Sequence, residues 1–248
     1  TSFQKISIKD ENNFFKIKNL IVDKNFNLIN FEEINIKTFL DDNVNNELKI
    51  TNKDKILITG KVFDAEMLIK ELSKDKKNNE FLKKISGDIE IDLKRILKGT
   101  KFPIKNFRLI GNINKGNFEK ISAKSDFSND EHLDISLKKQ EINNEKILEV
   151  YSDIATPLLS DFKFFQGLEG GNLLYVSSFD KKKSYNELTI NDFKLNNAPA
   201  LAKILTLADL KGLTDTLKGE GISFETLSIK YESDSSTMNI NEIFMIGP

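Results

Sequence analysis

Chemistry at a protein site needs a nucleophile beside a base, a set of metal ligands, paired acids or a phosphate cradle, and this sequence supplies few of these. It has no cysteine, which removes disulfides, thiolate metal sites and thiol nucleophiles together. His132 is the only histidine, so any Ser-His-Asp triad has to use it. It lies in the polar run Ser128-Asn129-Asp130-Glu131-His132, which reads as an exposed turn before a strand, and no Gly-x-Ser-x-Gly elbow occurs. Carboxylates such as Asp92 and Glu149 are spread evenly, as on solvated strand faces. Paired acids for glycoside hydrolysis have no fixed spacing, so a carbohydrate-active β protein stays open as a reading, although tryptophan, common in sugar clefts, is absent. Gly219-Glu220-Gly221 follows a predicted helix instead of joining strand to helix, so it reads as a helix stop and not as a phosphate loop. We therefore expect no enzyme: no catalytic residues, no cofactor and no metal.

Lys and Arg total 37 against 38 for Asp and Glu, a balance that argues against a nucleic-acid groove. Lysine and asparagine are frequent while Arg95 and Arg108 are the only arginines, a pattern expected of solvent-facing positions under compositional bias. The positive signal is apolar: 19 Phe with abundant Ile and Leu. No apolar run approaches the ~20 residues that cross a bilayer as a helix. Starting at Thr1 without a methionine, the chain reads as a piece of a longer protein.

These side chains must be positioned by strands. Apolar and polar residues alternate along Ile6–Ile8, Ile34–Ile36, Ile56–Val62, Ile89–Leu93, Leu133–Leu137 and Leu227–Tyr231, the period of a strand with one buried face. Turn signals at Ser86-Gly87-Asp88, Asn114-Lys115-Gly116-Asn117 and Ser233-Asp234-Ser235-Ser236 separate them, so antiparallel hairpins in a meander are expected. Three stretches carry helical spacing instead. Asp64 is placed to cap a helix holding Met67, Leu68 and Leu72. Thr156 and Pro157 sit at N-cap and first-turn positions of a helix through Phe162 and Phe165, stopped by Gly167. A third runs from Pro199 and breaks near Asp209. A faint echo links Ile17-Lys18-Asn19-Leu20-Ile21-Val22, Ile104-Lys105-Asn106-Phe107-Arg108-Leu109 and Ile190-Asn191-Asp192-Phe193-Lys194-Leu195, whose starts lie 87 and 86 residues apart. A repeat of that size would suit an extended sheet. From these residues alone, the strands fit a closed sandwich core as well as an open sheet.

From about Ser152 to Pro248 the sequence resembles the C-terminal region of AsmA-like proteins. The similarity is carried by Pro157 to Phe165 followed by Gln166-Gly167-Leu168-Glu169-Gly170-Gly171-Asn172-Leu173, by Leu188-Thr189-Ile190-Asn191-Asp192-Phe193-Lys194-Leu195 leading into Ala198-Pro199-Ala200-Leu201-Ala202-Lys203-Ile204-Leu205, and above all by Leu210-Lys211-Gly212-Leu213 through Gly219-Glu220-Gly221-Ile222-Ser223-Phe224. The resemblance implies an envelope protein, anchored in the inner membrane of a Gram-negative bacterium by a segment outside this chain, with a long curved sheet reaching through the periplasm. It implies an apolar trough that binds or conducts phospholipid or other acyl chains between inner and outer membranes, with inner- and outer-membrane proteins as partners. An acyl chain of about 15 methylenes loses on the order of 12 kcal/mol on entering water, at ~0.8 kcal/mol each, so such a trough removes the main barrier to transfer.

The expected fold is therefore mainly β, an elongated, twisted antiparallel sheet curled into a trough with a few amphipathic helices. Residues 1–151 form the β-rich groove segment and 152–248 the C-terminal region of one continuous unit. The expected groove lining is Ile89, Ile91 and Leu93; Leu133, Ile135 and Leu137; and Leu227, Ile229 and Tyr231. Leu201, Ile204, Leu205, Leu213 and Leu217 are candidates to plug or gate it. The alternative is a non-transporting scaffold that assists outer-membrane assembly through strand pairing at a sheet edge.

Overall fold

A computed structural model describes residues 1–66, 85–97, 102–127, 130–140, 145–180, 182–196 and 221–247. It is mainly β, and all six alternating stretches lie in strands. Contacts divide the chain into two units, Thr1–Asp130 and Glu131–Pro248.

The first unit is one sheet of β1 (Ser2–Lys9), β2 (Phe14–Val22), β4 (Glu33–Leu40), β5 (Asn43–Asn52), β6 (Ile56–Asp64), β7 (Gly87–Leu97), β8 (Ile104–Asn114) and β9 (Asn117–Asp126), in that spatial order, with the short β3 (Leu28–Asn30) on β2. Chain neighbours are sheet neighbours, as a meander requires. One pair departs from the expected antiparallel pattern: β6 and β7 run parallel, with Ile58 beside Ile91 and Gly60 beside Leu93. Parallel neighbours need a crossover instead of a hairpin, so Ser86-Gly87-Asp88 is the lead-in to β7 and not a hairpin turn. Asn114-Lys115-Gly116-Asn117 does turn β8 into β9. Lys115 and Gly116 both have positive φ, 49° and 75°, as a two-residue hairpin of matching twist demands.

The second unit pairs β10 (His132–Lys139), β11 (Lys146–Ser152), β12 (Leu168–Phe179), β13 (Ser184–Leu195), β14 (Ile222–Ser233) and β15 (Met238–Ile246), all antiparallel. Its fully buried centre is Ile190, Leu195 and Leu227, and the Phe193 and Phe224 rings stack at 5.4 Å between centroids. Helix is scarcer than expected among the described residues. The stretch read as a helix from Thr156 to Phe165 is a single turn, α1 (Thr156–Leu159), and a 3-10 turn at Lys163–Phe165. Thr156 is not its cap. Ala155 holds that position and the Thr156 hydroxyl donates instead to the Leu168 carbonyl at 3.4 Å. The helices read at 67–72 and 199–217, with the candidate gate residues Leu201, Ile204, Leu205, Leu213 and Leu217, lie outside the described residues.

The faint sequence echo has a structural counterpart. Its third position, Asn19, Asn106 or Asp192, is a left-handed residue inside a strand in every case, with φ of 48°, 53° and 54°. Asn and Asp tolerate this conformation better than other side chains bearing a Cβ. At Asn106 the β8 register slips against β9 between Lys105 and Arg108, and the Asn106 amide donates to Asp126 across the slip at 2.9 Å. At Asp192 the inward face changes phase: Leu188 and Ile190 are buried before it, Phe193 and Leu195 after it. The three hexads thus share a strand kink.

Candidate functional site

In the first unit the register lines apolar side chains up across the strands. Ile6 sits opposite Ile17, which sits opposite Ile34, and Ile34 opposite Ile50. The same row continues from Ile50 to Ile58, across the parallel pair to Ile91, and on to Leu109 and Ala123. A row therefore crosses all eight strands, about 34 Å at ~4.8 Å per strand spacing. A second row runs Ile8, Phe15, Ile36, Leu48, Gly60, Leu93 and Phe107. Gly60 leaves no gap, because a Cβ there would lie 2.6 Å from Leu48 Cδ2. Leu93 and Leu109 are buried, yet Ile17, Ile34, Ile50, Ile58 and Ile91 are only half-buried. Among the described residues no second layer closes over this face.

The opposite face carries the charge. Glu33 accepts from Lys18 at 2.7 Å and Lys49 at 3.0 Å, and these two ammonium groups, with the Asn35 amide, hold its carboxyl down at about 2. Glu47 pairs with Lys61 at 2.7 Å, and Glu90 pairs with Lys55. Each exposed pair contributes at most ~1 kcal/mol; together they keep this face wet.

The second unit repeats the arrangement. Three rows cross its strands: Leu133, Ser152, Leu173, Ile190, Leu227 and Met245; then Ile135, Val150, Tyr175, Leu188, Ile229 and Ile243; then Leu137, Leu148, Ser177, Asn186, Tyr231 and Ile240. The two predicted triplets of this unit, on β10 and β14, thus occupy matching places on one face, with three strands between them. The third triplet, Ile89, Ile91 and Leu93, lies on the apolar face of the first unit. Between the α1 segment and the third row lies an apolar pocket of about 550 Å³. Leu173, Leu188 and Ile229 form buried wall. Its rim includes Phe162, Met238 and Ile240, each more than half exposed, so the pocket opens to solvent. No lining side chain is charged.

One end of this pocket is backed by a hydrogen-bonded cluster that sequence reading missed. The buried Asn186 carbonyl accepts from the Tyr175 hydroxyl at 2.9 Å and from Ser177 at 2.7 Å. Its amide donates to Ser184 Oγ at 2.9 Å and to the Tyr231 carbonyl at 3.3 Å. Burial pushes the Tyr231 phenol up, and the hydrogen bond it donates to Tyr175 pushes the same way. Asn186 breaks the apolar alternation of β13, which is the one sign of it in the sequence.

His132 is exposed at the start of β10, and its backbone N–H donates to Asp153 at 2.8 Å. That bond and one from the Tyr151 hydroxyl at 2.9 Å hold the Asp153 carboxyl below its usual range. Among the described residues no three His, Cys, Asp or Glu side chains converge as metal ligands, and no helix is long and apolar enough to cross a membrane. No protein-family model, curated protein or solved structure matches the chain.

Proposed function

We propose that this protein binds lipid acyl chains along the apolar faces of its sheets and conducts them, in the manner of AsmA-like envelope proteins, between the inner and outer membranes without chemical catalysis. The observation that carries the reading is the row from Ile6 to Ala123, unbroken across eight strands and only partly buried from Ile6 to Ile91. A closed core hides such residues; an exposed contiguous apolar surface of this extent costs free energy unless something apolar visits it. Its ~34 Å compares with the ~30 Å hydrocarbon core of a bilayer, so two chains end to end are covered along it. The trough, the periplasmic setting and the membrane partners belong to this proposal.

The test is native mass spectrometry of gently extracted protein, with Ile50→Asp as the control. Phospholipid should accompany the wild type and be depleted in the variant. Protein that never carries lipid, and full function in Ile50→Asp, would sink the proposal. The scaffold reading has its own support: among the described residues β15 is an edge strand, it exposes Met238, Ile240, Phe244 and Ile246, and an apolar edge invites strand addition. A charge at Phe244 that abolishes function while lipid binding persists would favour it.

A further inference from the structure

Resting on the acyl-binding reading, we infer that the pocket of the second unit takes one alkyl chain, methyl end first, and that the Tyr231 oxygen at its mouth selects chains whose head is an uncharged hydrogen-bond donor. The direction follows from the register. Leu173, in the first row, is 2% exposed, and Leu188 and Ile229, in the second, are buried. Ile240, level with Tyr231 in the third, is 54% exposed, and Met238, level with Ser233 one step further out, is 63% exposed. All but Ser233 line the pocket, so its dry end lies at Leu173 and its mouth runs from Tyr231 to Met238. The volume of about 550 Å³ holds on the order of 18 methylene-sized groups, at the ~30 Å³ a water-sized group occupies. That is one chain, not two. No lining side chain is charged, so a polar head left at the dry end loses its water for nothing, and the methyl end goes there instead.

The head-group preference follows from where the protons sit. The Tyr231 backbone carbonyl can only accept, so it is the Asn186 amide nitrogen that faces it, at 3.3 Å, and the same nitrogen donates its second proton to Ser184 Oγ at 2.9 Å. That turns the Asn186 carbonyl oxygen toward Tyr175 and Ser177, and both hydroxyls donate to it. Having given its proton to Asn186, the Tyr175 oxygen accepts from Tyr231. Every proton in the chain is committed, and the outermost oxygen, that of Tyr231, has only lone pairs to offer a ligand. A hydroxyl donates to it; an ether or an ionised carboxylate has no proton to give. The free glycerol hydroxyl of a single-chain lipid is a group of the required kind, with the rest of its head in solvent beyond Met238.

Displacement of the neutral dye N-phenylnaphthylamine from the whole chain tests this with four ligands. They are dodecanol; undecyl methyl ether, which has as many heavy atoms but no donor; dodecanoate; and the α,ω-diol of dodecane. Dodecanol should bind about fivefold more tightly than the ether, the worth of one net hydrogen bond, and more tightly than dodecanoate. Tyr231→Phe keeps the ring and removes the oxygen, so it should erase the difference from the ether by weakening dodecanol alone. The diol carries a second hydroxyl to the dry end and should bind about tenfold more weakly than dodecanol, or worse. Equal binding of dodecanol and the ether, tighter binding of dodecanoate, or a Tyr231→Phe variant that weakens alcohol and ether alike overturns the head-group selection. A diol that binds as tightly as dodecanol overturns the methyl-first seating. In each of these cases alkyl chains still bind and the acyl-binding reading stands. Failure of the dye and of all four ligands to bind the wild type overturns that reading, and the inference with it.

Discussion

Ile91 and Leu93 are two residues apart on β7 and point to the same face, yet Leu93 is 4% exposed and Ile91 is half-buried. Replacing each with aspartate measures whether that face is open. At Ile91 about half of a side-chain burial of ~1.5–3 kcal/mol is lost, and leaving a β-branched residue in mid-strand adds up to ~1 kcal/mol. The new carboxylate keeps water, so Ile91→Asp should cost about 1–2 kcal/mol. At Leu93 the full burial is lost and a carboxylate enters a dry site, adding several kcal/mol more, so Leu93→Asp should cost about 5 kcal/mol or more. Against a typical domain stability of ~5–15 kcal/mol, the first variant folds and the second is largely unfolded. The chain has no tryptophan, so urea titration followed by far-ultraviolet circular dichroism is the suitable assay, with midpoints compared at constant slope. Folded Ile91→Asp should also bind a fluorescent acyl probe at least tenfold more weakly, because the carboxylate interrupts the row between Ile58 and Leu109. Equal destabilisation by the two substitutions would refute the reasoning, since only a face closed to water penalises both charges alike.

Other substitutions probe the parts that shape the site. Asn186→Ala leaves the Tyr175 and Ser177 hydroxyls without their buried acceptor and should cost about 2–6 kcal/mol, at ~1–3 kcal/mol per unsatisfied group, read as a lower urea midpoint. Asn106→Gly should be near neutral, whereas Asn106→Val should cost about 1–2 kcal/mol, because φ at this position is 53°. Gly171→Ala, at φ of 74° with its Cβ only 2.7 Å from Phe193 Cβ, should lower the melting temperature measurably more than Gly170→Ala, whose site is equally left-handed but open. The Glu33 carboxyl is held at about 2 against an ordinary 4.5. A depressed folded-state pKa stabilises fully above the unfolded value and loses its effect as pH falls from about 4.5 to 2. Glu33→Gln should therefore flatten the acid side of a stability-against-pH curve in that window.

The strands were legible because a half-buried strand must alternate, and in six stretches, from Ile6–Ile8 to Leu227–Tyr231, it does. Legible too was the kink motif: Asn19, Asn106 and Asp192 stood at matching places in three similar hexads, although nothing in the letters said that the shared feature was a left-handed backbone. The predicted triplets on β10 and β14 share a face because register carried Leu133 to Ser152, Leu173, Ile190 and Leu227 without losing phase. Tertiary structure alone decided the rest. Alternation is the same whichever way a strand runs, so the parallel β6–β7 pair was invisible. It is also the same under a closed core as under an open face, because it reports that one side avoids water locally and not what covers that side. Whether Ile91 meets solvent while Leu93 does not, and whether Asn186, Tyr175 and Tyr231 converge at the end of a pocket, depends on pairings between residues up to 56 positions apart, and those distances close only when the strands assemble.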